Sequence, residues 1–296
     1  MTGFLRGSAT ALITPFNENG VAFDVFGQLI EHQIRGGTDA VVVLGTTGEP
    51  ATMTEQEKEA VIRFAREKTA GRIKLIVGTG SNCTAHAVEA SRLAESLGAD
   101  GVLAVTPYYN KCTQQGLVEY YRAICDSVHI PVIAYSVPAR TGVNLLPETA
   151  ARIAEFKNLA GIKEASGNMA QVLEIARLIR GKCELYSGED ILNLPILCAG
   201  GTAVISVVSN LVPERVKKLT ELVFAGDLAG AIALSDELIP LAKVCFTEVN
   251  PIPVKAGMNL LGFAAGTPRA PLTECEAEHI ALLGKELKKF VPEVKS

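Results

Sequence analysis

Short runs of small and β-branched apolar residues recur eight times along this chain, each followed by a longer amphipathic stretch. That alternation restricts the fold to a parallel sheet covered by helices. The runs fall at 9–13, 40–44, 75–78, 101–105, 132–135, 160–163, 184–187 and 203–207, with helical patterns such as 55–68, 84–97, 116–127 and 169–179 between them. Parallel strands covered on both faces read as unbroken apolar runs rather than alternations. VVVL at 41–44 and LIVG at 75–78 have that character. Eight strand–helix units predict a closed (β/α)8 TIM barrel over residues 1–225. Three further helical patterns, 228–245, 253–261 and 274–290, predict a small helical bundle over 226–296, packed on the barrel. The chain's 296 residues suit one large barrel with an extension.

An open, doubly wound sheet is the competing arrangement, and it would want a glycine fingerprint after its first strand. GTGSNC at 78–83 does not fit G-x-G-x-x-G, and GTTGEP at 45–50 lacks the Lys–Ser/Thr of a phosphate loop.

Composition removes several function classes. A net charge of −4 offers no basic stripe, so no nucleic-acid partner is expected. No apolar run reaches the roughly 18 residues that a membrane span requires, so none is expected. The amino-terminal segment has no basic start and reads as the first strand rather than a leader, which points to the cytoplasm. Seven cysteines are irregularly spaced with no CxxC, and four histidines match no ligand spacing. A reduced compartment fits, with neither a metal nor a cofactor expected.

In a barrel of this kind the chemistry sits at the carboxyl ends of the strands. That rule selects Thr10, Thr14, Gly45–Glu49, Gly78–Gly80, Thr106–Tyr109, Tyr135–Pro138, Lys163, Glu164, Ser187, Gly188, Ile205 and Ser206. Lys163 ends an apolar run, whereas Lys58, Lys68, Lys217, Lys218, Lys285, Lys288 and Lys289 fall on solvent-facing helical stretches. An amine held in low dielectric loses its proton more readily, which a carbonyl-attacking nucleophile needs. The plainer alternative is an ion pair with Glu164 or another acid. Tyr135 ends the neighbouring strand, where a phenol can relay protons or simply pack. Thr46 and Thr47 sit in a glycine-bracketed turn that can cradle a carboxylate or merely cap a helix. Arg140, in a proline-stiffened loop, can grip a carboxylate, although arginines in surface loops are common.

Taken in order, GTTGEPAT, VTPYYN, YSVPARTG, GIKEASG, YSGED and NPIPVK resemble the dihydrodipicolinate synthase family of the pyruvate-dependent class I aldolases, over essentially the whole chain. The resemblance implies a homotetramer, a dimer of tight dimers, that condenses pyruvate with L-aspartate 4-semialdehyde in lysine biosynthesis. By position, Lys163 is similar to the family's Schiff-base lysine, and Tyr135, Thr46 and Tyr109 to its proton relay. In the family the second tyrosine of the YY pair is lent across the tight dimer. Thr47 then matches the pyruvate-carboxylate threonine and Arg140 the semialdehyde-carboxylate arginine, with Gly188 and Ile205 lining the pocket. Ser136 departs from the asparagine that many members carry. Sister enzymes that act on N-acetylneuraminate or 2-keto-3-deoxy acids usually lack the combination of Thr46, Thr47 and Arg140, so they are the second choice. A barrel that has lost catalysis is disfavoured because none of the required groups is substituted. In lysine-sensitive members a glutamate meets the inhibitor's ammonium. Here that position is His86, beside Asn82 and Tyr108, with Glu55 and Lys58 nearby, and weak or absent inhibition by L-lysine is expected.

Overall fold

The computed structural model describes residues 3–294. Eight parallel strands close into a barrel: β1 (Gly7–Ala11), β2 (Ala40–Val43), β3 (Lys74–Gly78), β4 (Gly101–Val105), β5 (Val132–Ser136), β6 (Leu159–Glu164), β7 (Glu184–Ser187) and β8 (Ala203–Ser206). β1 closes the ring, pairing Gly7 with Ala203 on one side and Ala9 with Ala40 on the other. The (β/α)8 architecture read from the sequence is therefore the one observed.

Strand alternation sorts the apolar side chains into two cores. Ala9, Val42, Ile76, Leu103, Ile133, Tyr186 and Ile205 point inward and fill the barrel. Val41, Val43, Leu75, Val77, Val102 and Ala104 point outward and pack under the helices. The same parity places Gly161, Lys163 and Ala165 inside and Ile162 and Glu164 outside. Thr10, a mouth candidate by position, is likewise turned outward, and its hydroxyl donates to Gln33 Oε1 at 2.5 Å.

The first strand starts and stops two residues earlier than the apolar run implied. Its ladder runs from Gly7 to Ala11, and Leu12 and Ile13 leave the strand. The amide of Leu12 still donates to the Val42 carbonyl, and that of Ile13 donates to Asn210 Oδ1. Burial under loops, not pairing, explains why Leu12 and Ile13 are apolar. A two-residue hairpin, Phe16–Asn17 with Gly20–Val21, is too short to leave a periodic signal.

After the second strand the chain turns sharply and enters the helix Glu55–Thr69. Thr54 and Glu57 form a capping box there, with Thr54 Oγ1 accepting from the Glu57 amide and Glu57 Oε2 accepting from the Thr54 amide. Beyond the barrel lie the helices Leu228–Val244, Ile252–Leu260 and Ala277–Leu287. Gly257 lets the middle one sit close: a Cβ there would come within 2.7 Å of Leu211 and 3.2 Å of Leu283. This docking brings Asn250 and Lys255 to the barrel's carboxyl end.

Candidate active site

Lys163 and Tyr135 are opposite one another in the β5–β6 register, and Tyr186 flanks Lys163 on β7. The Lys163 ammonium lies 4.0 Å from the centroid of the Tyr135 ring, and only 5% of the residue is exposed. Among the described residues it makes no ion pair within 4.0 Å. The alternative pairing with Glu164 is not formed, because consecutive strand residues face opposite sides. Glu164 Oε1 instead accepts from the Ser166 amide at 2.8 Å, while Oε2 is buried without a partner, and burial pushes this carboxyl up.

Burial pushes the Lys163 amine down to about 8; Asp190 pulls it back up, Arg140 lowers it further and Glu189 raises it. Against an ordinary 10.5, that multiplies the neutral fraction at pH 7 by roughly 300. Asp190 is held in place by hydrogen bonds. Its Oδ1 accepts from the Ser206 hydroxyl at 2.5 Å, and its Oδ2 accepts from the amides of Val207 and Val208 at 2.8 and 3.1 Å. Gly188 provides the space the lysine needs: a Cβ there would lie 2.7 Å from Lys163 Cε and 2.9 Å from Cγ.

The Tyr135 phenol is raised to about 12, mainly by burial. Arg140 opposes the rise, Glu189 adds to it, and the nearby Thr46 hydroxyl lowers it again. A phenol in that state carries its proton at neutral pH and can donate it to an oxygen developing charge beside it. Ile205, 1% exposed, belongs to the same inner cluster as Tyr135.

Thr46–Gly48 form a single 3₁₀ turn at the end of β2, closed by the Gly48 amide on the Gly45 carbonyl. Thr14 pins the turn to the end of β1 by donating its hydroxyl to the Gly48 carbonyl at 2.8 Å. Glu49 follows in the left-handed region at φ 56° and turns its carboxylate inward onto Lys255 at 2.7 Å. Thr47 is 2% exposed, and its Oγ1 accepts from Asn250 Nδ2 at 2.9 Å. Arg140 sits on the short helix Pro138–Thr141, exposed, and its Nη2 donates to the Asn250 carbonyl at 3.2 Å.

Lys163, Tyr135, Thr46, Thr47, Arg140, Gly188 and Ile205 thus converge on one end of the barrel. Tyr109 does not join them. It is 90% exposed on the loop after β4, with φ 74°, its amide donating to the Thr141 carbonyl at 3.4 Å. Sequence reasoning gave no role to Asn250, Lys255, Asp190 or Glu189. The run NPIPVK contained the first two as part of a resemblance, but nothing in its periodicity says that Lys255 is buried.

A lowered amine, without an ion pair among the described residues, beside a protonated phenol at the carboxyl end of a closed barrel defines the class: a lyase of the class I aldolase type, working through a lysine imine. The chain belongs to the dihydrodipicolinate synthetase family, whose model matches residues 4–290. It is 49% identical over 286 residues, 96% of each chain, to the 4-hydroxy-tetrahydrodipicolinate synthase of Thermoanaerobacter sp. (strain X514). The crystal structure of dihydrodipicolinate synthase from Aquifex aeolicus is similar at a TM-score of 0.96 and 43% identity, covering 99% of this chain and 100% of that one. A dihydrodipicolinate synthase from Acinetobacter baumannii, solved in complex with pyruvate, is similar at a TM-score of 0.93 and 38% identity, with 96% and 98% covered.

Proposed function

We propose that this site condenses pyruvate with L-aspartate 4-semialdehyde to give 4-hydroxy-tetrahydrodipicolinate, the compound that the names of its relatives carry. The observation that carries the reading is Lys163: a buried lysine with no ion-pair partner, its amine over the Tyr135 ring. The neutral amine attacks the ketone carbon, and loss of water from the carbinolamine leaves an imine. Loss of a methyl proton turns the imine into an enamine, whose carbon attacks the aldehyde. The new bond forms as the aldehyde oxygen takes up a proton, and the semialdehyde's own amine then attacks the imine carbon, closing the ring and releasing the Lys163 amine.

In this reading Tyr135 delivers and removes protons, Thr46 holds its phenol, and Thr47 donates to the pyruvate carboxylate. Arg140 meets the semialdehyde carboxylate, and Gly188 and Ile205 shape the pocket. Tyr109, held out from its own barrel, completes the relay of a neighbouring copy in a tight dimer, two of which make a tetramer. The reading takes the enzyme as a cytoplasmic biosynthetic lyase. Among the described residues no helix is long and apolar enough to cross a membrane.

The test is a panel in which pyruvate is fixed and the aldehyde varied. L-Aspartate 4-semialdehyde should be used at least tenfold more efficiently than N-acetylmannosamine or a sugar aldehyde. Preference for a sugar aldehyde would move the chain to the sugar-acid lyases. Inhibition by L-lysine should be weak: His86 offers no carboxylate, and Glu55 is already paired with Lys58 at 2.7 Å. Half-inhibition below about 1 mM, on the order of −4 kcal/mol of binding, would contradict this.

A further inference from the structure

Asn250 lies between the helices Leu228–Val244 and Ile252–Leu260, far in sequence from every strand of the barrel. It nonetheless touches both substrate-facing groups. Its side-chain amide donates to Thr47 Oγ1 at 2.9 Å, across 203 positions of sequence. Its backbone carbonyl accepts from Arg140 Nη2 at 3.2 Å, across 110 positions. The residue is 5% exposed, and Oδ1 is buried with no protein partner.

A threonine hydroxyl has one proton and two lone pairs. When an amide N–H occupies a lone pair, the hydroxyl proton turns away from that amide and seeks another acceptor. Among the described residues no protein oxygen takes the Thr47 proton, so the hydroxyl keeps a proton to donate. A carboxylate accepts such a bond, whereas an ammonium would not.

We propose that Asn250 is a positioning residue for both substrates: its amide fixes Thr47 as a donor to the carboxylate of the 2-oxo acid, and its backbone carbonyl anchors Arg140 for the aldehyde. The inference rests on the roles given above to Thr47 and Arg140. It also splits the residue into two functions that can be separated, because side-chain replacement removes the first and retains the second. An aspartate in this place is diagnostic. It can only accept when ionised, so it would capture the Thr47 proton and set a negative charge beside a negative substrate. Alanine removes the donor without that inversion and leaves the hydroxyl free to rotate.

The experiment uses the intact enzyme with both substrates varied, together with borohydride trapping of the pyruvate adduct. Asn250→Asp should raise the pyruvate KM by roughly ten- to a hundredfold, the scale of one lost charge-assisted contact. It should change the semialdehyde KM by less than about threefold. Asn250→Ala should raise the pyruvate KM less than Asn250→Asp does, and should add nothing further in a Thr47→Val background. Should the Asn250 variants prove too unstable to purify, Thr47→Val alone must show the same pyruvate-selective KM defect. Equal shifts in both KM values, Asn250→Asp no worse than Asn250→Ala, or an unmoved pyruvate KM in Thr47→Val would each overturn the inference. Trapping on the wild-type enzyme keeps the two readings apart. An adduct on Lys163 with an unmoved pyruvate KM removes only the role of Asn250, and an adduct elsewhere removes the underlying chemistry.

Discussion

Two buried lysines sit at the carboxyl end of this barrel, and their surroundings are opposite. Lys255 is fully buried, its ammonium 2.7 Å from Glu49, 3.1 Å from the Thr267 carbonyl and 4.1 Å from the centre of the Phe16 ring. Lys163 is almost as buried, rests on an aromatic ring too, and among the described residues has no carboxylate in ion-pair contact. Burial lowers both amines, but at Lys255 the Glu49 carboxylate acts directly against it, through charge and hydrogen bond. Lys255 is therefore held in an ion pair that ties the helix Ile252–Leu260 to the turn bearing Thr46 and Thr47. Lys163 is left as an amine that can lose its proton and react. Burial alone does not make a lysine a nucleophile; burial without a partner does.

The largest effect that can break this contrast is on stability. Lys255→Met should destabilise the enzyme by about 3–5 kcal/mol, because it leaves the Glu49 carboxylate buried and uncompensated. Adding Glu49→Leu should recover part of that loss, and denaturant unfolding measures both. A Lys255→Met enzyme as stable as wild type would show that the pair is not a clamp.

Arg140→Ala should cost on the order of 1.5–3 kcal/mol in the semialdehyde step and much less in forming the pyruvate imine. It should also move the pH profile. The rate of imine formation rises with pH as Lys163 loses its proton, with an apparent pKa of about 8. Arg140 is one of the groups that lower this amine, so its removal should shift the rising limb to higher pH. A limb that stays in place would show that Arg140 lies too far away to act.

Lys163→Met should stabilise the fold, in contrast to Lys255→Met, by on the order of 1–3 kcal/mol. The sign follows from linkage. The folded amine, at about 8, holds its proton less tightly than the unfolded one at 10.5. The native protein thus bears the full cost of charging it below pH 8 and is relieved of it as pH rises toward 10.5. The stabilisation in Lys163→Met should accordingly be largest below pH 8 and fade above it. Thermal melts at pH 7 and pH 10 compare the two directly.

The two lysines also divide what the sequence can reveal. Lys163 was legible because a charged residue closing an apolar strand run must face either the barrel mouth or the helix layer, and the neighbouring glutamate takes the other side. Lys255 was not, because PVKAGM reads as an ordinary helical stretch and its partner Glu49 lies 206 positions away. Asn250 was missed for the same reason: its meaning resides in contacts to Thr47 and Arg140 that only the docked carboxy-terminal helices create. Tyr109 was named from a resemblance, and in its own chain it stands exposed on the loop after β4. Strand order and barrel closure followed from period and length, whereas the long-range polar pairs did not, since a single polar residue carries no periodic signal.

The central claim is that the unpaired lysine, and not the paired one, forms the covalent intermediate. Borohydride reduction in the presence of pyruvate, followed by peptide mass mapping, tests it directly. The account predicts one reduced pyruvyl adduct per chain, on Lys163, with Lys255 unmodified and no adduct in Lys163→Ala. An adduct on Lys255, or none in a preparation that turns over, would contradict it.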